Sequence, residues 1–347
     1  MKIWQKHILM KLLNTFLFFL LCLFAVFIIV DLSAHGARFF SKTGLGEILL
    51  YYFYTFSANL ELFFGLVFLL AALRVLLDLA HHREVVALQM AGLSKKRFLA
   101  PFFLFAGCIA LICLINSQWF APHAGDVSAG FKTAYKPNRK PSTKKLYIVS
   151  LDDTTSIVYS CFDPRRQELI DVFWVRSPNE FWHMKSFSID RREGYFVDHL
   201  MRDSAKLFAK TESFETRYFQ EMPWNHEVIL HRCIPYERRS LSTLFLQAWS
   251  KPADARVVFS HLYYKLVMPL LPFFILIGIC PSVLRYTRNP PTLLIIALSI
   301  FVFLAFKSVM DGMLILGENQ VLPSYVAIFF PVALILCANL PAFIRLR

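Results

Sequence analysis

Six long apolar runs constrain the fold of this chain more than any other feature of its sequence. They extend over residues 8–30, 49–77, 101–120, 266–284, 292–310 and 321–343. A helix needs about 20 apolar residues to cross the hydrocarbon core of a membrane, and each run approaches or exceeds that length. Residues 121–259 lack such a run. The sequence therefore predicts membrane helices in residues 1–120, an inserted domain over 121–259, and membrane helices in 260–347.

The first run is predicted to remain in the protein as a membrane helix. Its apolar stretch is longer than the roughly 7–15 residues of a signal-peptide core, and no small-x-small cleavage site follows it. The composition agrees with a membrane protein, because 56% of the residues are hydrophobic and only 18% are charged. These values exclude a wholly soluble enzyme and a disordered chain.

The net charge of +13 is distributed unevenly along the chain. Basic residues concentrate in short loops on the cytoplasmic side of membrane proteins, so their positions predict orientation. One set of short segments carries Lys2, Lys6, Lys11, Arg74, Arg83, Lys95, Lys96, Arg97, Arg285, Arg288, Arg345 and Arg347. The opposite short loops carry little besides Arg38 and Lys42. Both termini are therefore predicted to be cytoplasmic and the insert to lie outside, with no nucleic-acid partner.

The insert is predicted to be rich in β-strands. Short runs of Val, Ile, Phe, Tyr and Trp occupy residues 146–151, 156–162, 169–175, 181–189, 195–200 and 206–211. Turn signals containing Asp, Pro, Asn and Gly separate them. Several short strands without long amphipathic helices favour a sandwich or jelly roll. The fold class is thus an α-helical membrane protein of three plus three helices with an inserted periplasmic β-jellyroll-like domain.

Most of the seven cysteines lie in apolar helices, where cysteine acts as a small hydrophobic residue. Cys161 and Cys233 lie in the insert and could form a disulfide if that domain occupies an oxidising compartment. No cysteine spacing supports a metal site. The nearest zinc-like pattern, His226 to His231, separates its histidines by five positions, which does not suit one helix face.

No catalytic residue or cofactor is predicted. None of the 12 glycines is followed by lysine, so the chain has no P-loop for ATP. The segment from Gly92 to Lys96 lacks the last glycine of a nucleophile elbow. The sequence therefore predicts a protein that is not itself an enzyme.

The loop between the second and third runs predicts a short cytoplasmic helix at about residues 82–93. Helix formers fill Glu84 to Ala91, and Val85, Leu88 and Ala91 can share one apolar stripe. Gly92 stands where a helix ends. Two interpretations are open. The helix is a coupling element that enters a groove of a motor subunit, or it lies on the membrane surface with Lys95–Arg97 against anionic lipid.

Several segments resemble the LptF/LptG family of lipopolysaccharide export permeases. They are Leu50-Tyr51-Tyr52, the loop from Arg83 to Ser94, Asn116 to Pro122, His261 to Leu270, and Leu322 through Pro331. The most specific is the pattern E-x-x-A-L-x-x-A-G-L-S that begins at Glu84. Pro323 and Pro331 favour the LptG-like half of the family. The second run departs from the family by having Ser57 and Gly65 near positions where prolines are often found.

The resemblance implies a subunit of an ATP-driven exporter in a Gram-negative inner membrane. Its expected partners are a paralogous LptF/LptG-type permease, an LptB-like ATPase dimer and an LptC-like bitopic protein, with lipopolysaccharide as the substrate. Carried onto this sequence, the ATPase-coupling residues are Glu84, Val85, Leu88, Ala91, Gly92 and Leu93. Glu84 would face a basic groove of the ATPase, and the others would pack there.

Candidate substrate contacts are Arg38, Lys42 and Lys307. A phosphorylated lipid needs basic groups near the outer leaflet, and Arg38 and Lys42 follow the first run. They are also explained as solvated loop cations. Lys307 lies inside the fifth run, where an ion usually faces a cavity or a partner. Asp311, one turn later, offers the alternative of a structural ion pair.

Three other functional classes fit parts of the sequence. The chain could be a membrane-anchored periplasmic scaffold or binding protein in which the insert does the work. It could be the permease of another lipid or lipoprotein ABC exporter, although those usually have four spans. An ion-coupled secondary transporter or intramembrane enzyme built around Glu61, Lys307 and Asp311 would need no ATPase.

Overall fold

The computed structural model of the chain describes residues 2–35, 44–124, 147–150, 155–163, 168–202, 208–222, 236–249, 255–284 and 291–345. The chain forms two compact units. One is helical and combines Met1–Tyr135 with Tyr236–Arg347, and the other is the β unit Lys136–Pro235. Arg38, Lys42 and Cys233 lie outside the described residues, and of Cys161 only the backbone is described.

The helical unit contains eleven α-helices among the described residues. We number them α1 (Ile3–His35), α2 (Leu45–Ala58), α3 (Leu60–His81), α4 (Glu84–Met90), α5 (Lys95–Phe98), α6 (Ala100–Trp119), α7 (Leu241–Trp249), α8 (Ala255–Val267), α9 (Leu271–Leu284), α10 (Thr292–Glu318) and α11 (Ser324–Ile344). Six stretches of this described part are long and apolar enough to cross a membrane: α1, α3, α6, α8 with α9, α10 and α11. The six predicted spans are therefore confirmed.

The second apolar run is interrupted at Asn59, which separates α2 from α3. Asn59 has non-helical torsions (φ −111°, ψ 13°), and its side-chain amide donates to the Thr55 carbonyl at 3.0 Å. Asn116 of α6 donates to the Ser57 carbonyl at 2.9 Å and accepts from the Ser57 hydroxyl at 2.5 Å. Side chains that bond the backbone of a helix stabilise a bend without proline. The break therefore forms although residues 49–77 contain no proline.

The fourth span also changes its helical pitch. Between α8 and α9, residues Met268–Leu270 form a 3₁₀ turn that contains Pro269. Proline removes a backbone donor and prevents a regular helix from continuing through it. The α-helix resumes at Leu271, so one span has two segments.

The core of the helical unit receives apolar side chains from all six spans. The helix α3 is the most enclosed of the six spans. In its most apolar stretch of 18 residues, 67% of the residues are buried, whereas only 6% are buried in the corresponding stretch of α1. Phe16 of α1 illustrates the packing, since its ring meets Phe64 of α3 and Phe105 of α6 edge to face at 5.5 and 5.3 Å. Edge-to-face pairs fix the relative rotation of the helices that carry them. The helix α3 is thus the centre of the unit.

The β unit is a six-stranded antiparallel sheet in which each described strand pairs with its sequence neighbours. The strands are β1 (Tyr147–Ser150), β2 (Ser156–Asp163), β3 (Glu168–Ser177), β4 (Glu180–Ser188), β5 (Glu193–Arg202) and β6 (Phe208–Tyr218). Alternation along the strands buries one face, as Trp174, Trp182 and Met184 show. The predicted inserted β domain is confirmed, although β6 extends beyond its predicted end at 211.

The last part of the predicted insert is helical where it is described. The helix α7 and the first turn of α8 fall before residue 260, and both belong to the helical unit. Leu244 of α7 is fully buried against Val258 and Leu262 of α8. The apolar residues of 241–249 therefore form a helix that packs along the fourth span.

Gly317 of α10 lies where α10 closely approaches two other spans, at α8 and α11. A Cβ at this position would lie 2.7 Å from Ser260 Oγ, 3.3 Å from Ser260 Cβ and 3.5 Å from Ala327 Cβ. We expect Gly317→Ala to destabilise the unit by about 1–3 kcal/mol, as overpacking does in tight cores. The measurement is the thermal unfolding midpoint of the purified chain in detergent.

Gly312→Ala on the same helix is the matched control, because a Cβ there would meet nothing within 4 Å. Alanine favours a helix over glycine, so this variant should be neutral or slightly more stable. Equal midpoints for the two variants would show that the helices do not meet at Gly317.

Candidate functional site

The segment between α3 and α6 forms a short helix, α4, with well-defined ends. It begins after Arg83, whose φ of 54° turns the chain out of α3, and Gly92 beyond its last residue has φ +83°. The Gly92 amide donates to the Gln89 carbonyl at 2.9 Å, and the Leu93 amide donates to the Leu88 carbonyl at 3.1 Å. This pair of bonds is a Schellman motif, which requires a left-handed residue that glycine adopts without strain. The predicted helix at 82–93 thus covers the observed Glu84–Met90 and its cap.

The predicted coupling residues divide between a buried and an exposed side of α4. Val85 is buried in the core of the helical unit, and Leu88 packs partly against it. Glu84 and Leu93 are half-buried, while Ala91 and Gly92 are exposed. Val85 and Leu88 therefore hold α4 against the rest of the helical unit, and they do not form the outer surface of α4.

The outer surface of α4 is a second apolar stripe, and it includes Ala91, so the prediction that Ala91 shares a stripe with Val85 and Leu88 is wrong. It consists of Val86, Ala87, Met90 and Ala91, which we call the coupling face. All four are exposed, and Met90 is 88% exposed. The sequence contains its signal, since Val86 and Met90 are four residues apart, but helical spacing alone cannot tell which of two apolar stripes turns inward.

An ion pair lies inside the fifth span. Lys307 Nζ is 2.6 Å from Asp311 Oδ1, and it also donates to the Tyr264 hydroxyl of α8. The Tyr264 hydroxyl in turn donates to Asp311. Ions in a membrane are costly unless they are paired or hydrogen-bonded. The structural ion pair that the sequence analysis considered is thus formed, and the substrate role of Lys307 stays a prediction.

Two more ionisable groups lie near this pair. Glu61 of α3 interacts electrostatically with Lys265 of α8, with Lys307 and with Asp311. Glu237 also interacts with Lys265 and Tyr264, so this charged group contains two lysines and three carboxylates. The Lys265 ammonium also donates to the Arg239 carbonyl at 2.5 Å. Charges from three spans therefore meet in one place.

A second polar group surrounds the start of the fourth span. His261 of α8 is almost fully buried and lies 2.9 Å from Glu318 at the end of α10. Tyr236 stacks on the His261 ring, and Arg239 lies 3.8 Å above the Tyr236 ring. His261 stands in the sequence only as the first residue of a segment that resembles the family; its contacts to Tyr236 and Glu318 join positions far apart in the chain and could not be predicted.

The helical unit also contains an apolar cavity of about 210 Å³ between α3, α9, α10 and α11. Its walls include Leu69, Phe274, Gly278, Phe303, Phe306 and Asn339. Such a cavity accepts a hydrocarbon chain more readily than a charged group. Within the described ranges, no three His, Cys, Asp or Glu side chains are grouped as a metal site requires.

A model of one protein family matches nearly the whole chain. The family is described as lipopolysaccharide export system permease LptF/LptG, and the match covers residues 6–345. Its description includes both the LptF and the LptG types. No curated protein sequence matches the chain.

The contact between Lys307 and Asp311 is tested by a double-mutant cycle with Lys307→Met and Asp311→Asn. Each single variant leaves one charge without its partner in the membrane. We therefore expect the sum of the two single losses in unfolding free energy to exceed the loss in the double variant. Coupling of about 0.5–3 kcal/mol is typical of residues in direct contact. Unfolding midpoints of the four proteins in one detergent provide the measurement, and strictly additive losses would contradict the pair.

Proposed function

The chain belongs to the LptF/LptG family, and we propose that it is the membrane half of an ATP-driven exporter whose ATP is hydrolysed by a separate subunit. Membership makes it a transport component of lipopolysaccharide export, and six apolar helices make it a multi-pass inner-membrane protein. Beyond family membership, we propose the energy source of the transport, the surface on which the ATPase docks and the residues that contact the lipid.

The exposed coupling face of α4 is the observation that carries the proposal. Met90 is 88% exposed and Val86 is 40% exposed on a helix whose other side is anchored in the core. Methionine is unbranched and adapts to a partner's surface, which suits a contact that persists through conformational change. An apolar helical face of this kind fits a hydrophobic groove. We propose that the groove belongs to an LptB-like ATPase.

The attachment of α4 supports a mechanical role. Val85 is buried among residues of the central core, and the backbone bonds around Gly92 fix the end of the helix. A force applied to the coupling face therefore reaches α3 on one side and α6 on the other through short connections. We propose that motor closure moves these two spans and thereby narrows the space that holds the lipid.

Charge supplies the second part of the proposed contact. Glu84 lies in the first turn of α4, where a carboxylate is also favoured by the helix dipole. Its half-buried side chain stands beside the coupling face, so it can meet a basic group of the ATPase. Ion pairs of this kind contribute mainly to specificity and to the rate of association.

The remaining partners follow from topology. Basic loops favour both termini and α4 on the cytoplasmic side and the β unit in the periplasm. In the most apolar 18-residue stretch, 6% of the residues of α1 and 22% of those of α10 and of α11 are buried, which leaves long apolar surfaces for a partner. We propose that a paralogous permease pairs along α1 and α10. The β unit is proposed to join an LptC-like protein and to continue the path of the lipid toward the outer membrane.

Lys307 is the proposed contact for a phosphate of the lipid. Its side chain is 22% exposed, so the ammonium is partly accessible although it is paired with Asp311. A phosphate offers several strong acceptors to an ammonium group and could exchange with the carboxylate. Acyl chains would occupy apolar surfaces such as the cavity near Phe303. Arg38 and Lys42 are proposed as further phosphate contacts.

The docking proposal predicts that Met90→Asp weakens the association with the ATPase. The variant removes an apolar contact and places a carboxylate in an apolar interface, which should weaken binding at least about tenfold. Glu84→Lys should weaken it as well, because the charge is reversed beside a basic groove. The measurement is the amount of ATPase that co-purifies in mild detergent, together with its stimulated activity.

Met90→Leu and Glu84→Gln are the matched controls, since the first keeps the apolar surface and the second removes charge without reversing it. Both should retain more ATPase than their charged counterparts. Unchanged association and unchanged stimulation in Met90→Asp and Glu84→Lys would refute the assignment of α4.

The substrate proposal predicts that Lys307→Gln lowers the amount of lipopolysaccharide that co-purifies with the complex. Lys307→Arg keeps the positive charge and should retain the lipid, which separates loss of charge from loss of shape. Lys210→Gln, which removes an exposed lysine of the β unit paired with Asp198 at 2.7 Å, is the control outside the membrane. Equal lipid content in Lys307→Gln and Lys210→Gln would exclude the role of Lys307.

A further inference from the structure

The helix α7 presents an apolar surface that none of the described residues of the helical unit covers. Leu241, Leu244 and Ala248 face α8, where Leu244 is fully buried. Phe245, Leu246 and Trp249 lie outside this contact and are 56%, 69% and 80% exposed. The polar residues of the nine-residue helix are Ser242, Thr243 and Gln247, so the helix is amphipathic. We call the second surface, Phe245, Leu246 and Trp249, the outer face of α7.

Two sets of contacts fix the level of α7 relative to the membrane spans. The Ser242 amide donates to the Gln118 side chain at 3.0 Å, and Gln118 donates to the Ser242 hydroxyl at 2.7 Å. Gln118 lies in the last turn of the span α6. The buried Leu244 meets Val258 and Leu262 in the first turns of the fourth span. The helix α7 therefore lies at the level where two spans end.

This end of the spans is the one opposite the coupling segment. The span α6 starts directly after α5 and ends at Trp119, so its last turn is one membrane thickness away from Lys95–Arg97. Trp119 is 64% exposed and Phe120 is 41% exposed beside α7. Tyr325, in the first turn of α11 at the same end, is 62% exposed.

Exposed aromatic residues at the ends of spans are characteristic of the boundary between membrane and water. Trp and Tyr are enriched there because their rings are apolar while their polar atoms reach the headgroups. The outer face of α7 continues this row, with the Phe245 and Trp249 rings 6.5 Å apart. Arg256, exposed in the first turn of α8, adds a cation near the lipid phosphates.

We infer that α7 is an interfacial anchor whose outer face inserts into the outer-leaflet boundary of the bilayer. The occupant of this surface is phospholipid, because the contacts to α6 and α8 hold the helix at the depth of acyl chains and headgroups. An amphipathic helix at this level stays in the plane of the membrane. The anchor would hold the chain that returns from the β unit at the membrane surface before the fourth span begins. This inference rests on the six spans and, for the choice of the outer leaflet, on the proposed orientation; it is independent of the proposed ATPase contact.

Site-specific photocrosslinking in the full chain tests the anchor. Benzoylphenylalanine at Phe245 extends an exposed ring and should not disturb the fold. In nanodiscs of phosphatidylethanolamine and phosphatidylglycerol, irradiation should give a phospholipid adduct that mass spectrometry identifies. Glu237, which is exposed in the same chain segment, is the control position. We expect at least about fivefold more lipid adduct at position 245 than at 237, as expected for a ring held at the interface.

A second probe at Trp249 should give the same result, since it lies one turn further along the outer face. Lipid adducts at both positions with little at Glu237 support the anchor. Similar yields at all three positions, an absence of adducts at 245 and 249, or adducts to protein alone would overturn it. The last result would assign the outer face to a protein partner instead.

Discussion

The absence of water from the hydrocarbon core is the constraint on which the helical unit depends. Every backbone or side-chain polar group at that depth must find its partner within the protein. Asn116 meets this requirement at the break in the second run by bonding both the carbonyl and the hydroxyl of Ser57. Tyr264 meets it beside Lys307 and Asp311. Because each of these contacts crosses between helices, pairing polar groups also fixes which spans are neighbours.

The same constraint explains why the coupling segment lies outside the membrane and can still act on it. A helix as short as α4 leaves many of its backbone groups without intrahelical partners, which only water or a cap can satisfy. Its cap at Gly92 and its anchor at Val85 allow it to remain ordered at the surface. The connections to α3 and α6 are short, so the proposed displacement of α4 would be transmitted to the spans instead of being absorbed by a flexible loop.

The sequence predicts the six spans and the positions of the strands because hydrophobicity and alternation are local properties. It also predicts the end of α4, since Gly92 supplies the required left-handed torsion. It does not predict the break at Asn59, which depends on Asn116 across the helix interface. Nor does it predict that Val85 turns inward and Met90 outward, since both stripes are apolar. The helix α7 falls inside the predicted insert because its run of 9 residues is too short to cross a membrane, and only its packing on α8 assigns it to the helical unit.

The position of Asp311 limits what can border the fifth span. The Asp311 side chain is 50% exposed. It lies on α10, where only 22% of the residues in the most apolar 18-residue stretch are buried. Apolar residues such as Phe301, also exposed, can face lipid tails without penalty, because tails are as apolar as the residue. An exposed carboxylate cannot face lipid tails without an energetic penalty, even when it is paired with a lysine. This face of α10 therefore requires polar surroundings. The proposed arrangement would provide them, since a second permease along α1 and α10 would enclose a cavity in which charged headgroups, rather than acyl chains, meet the Lys307–Asp311 pair.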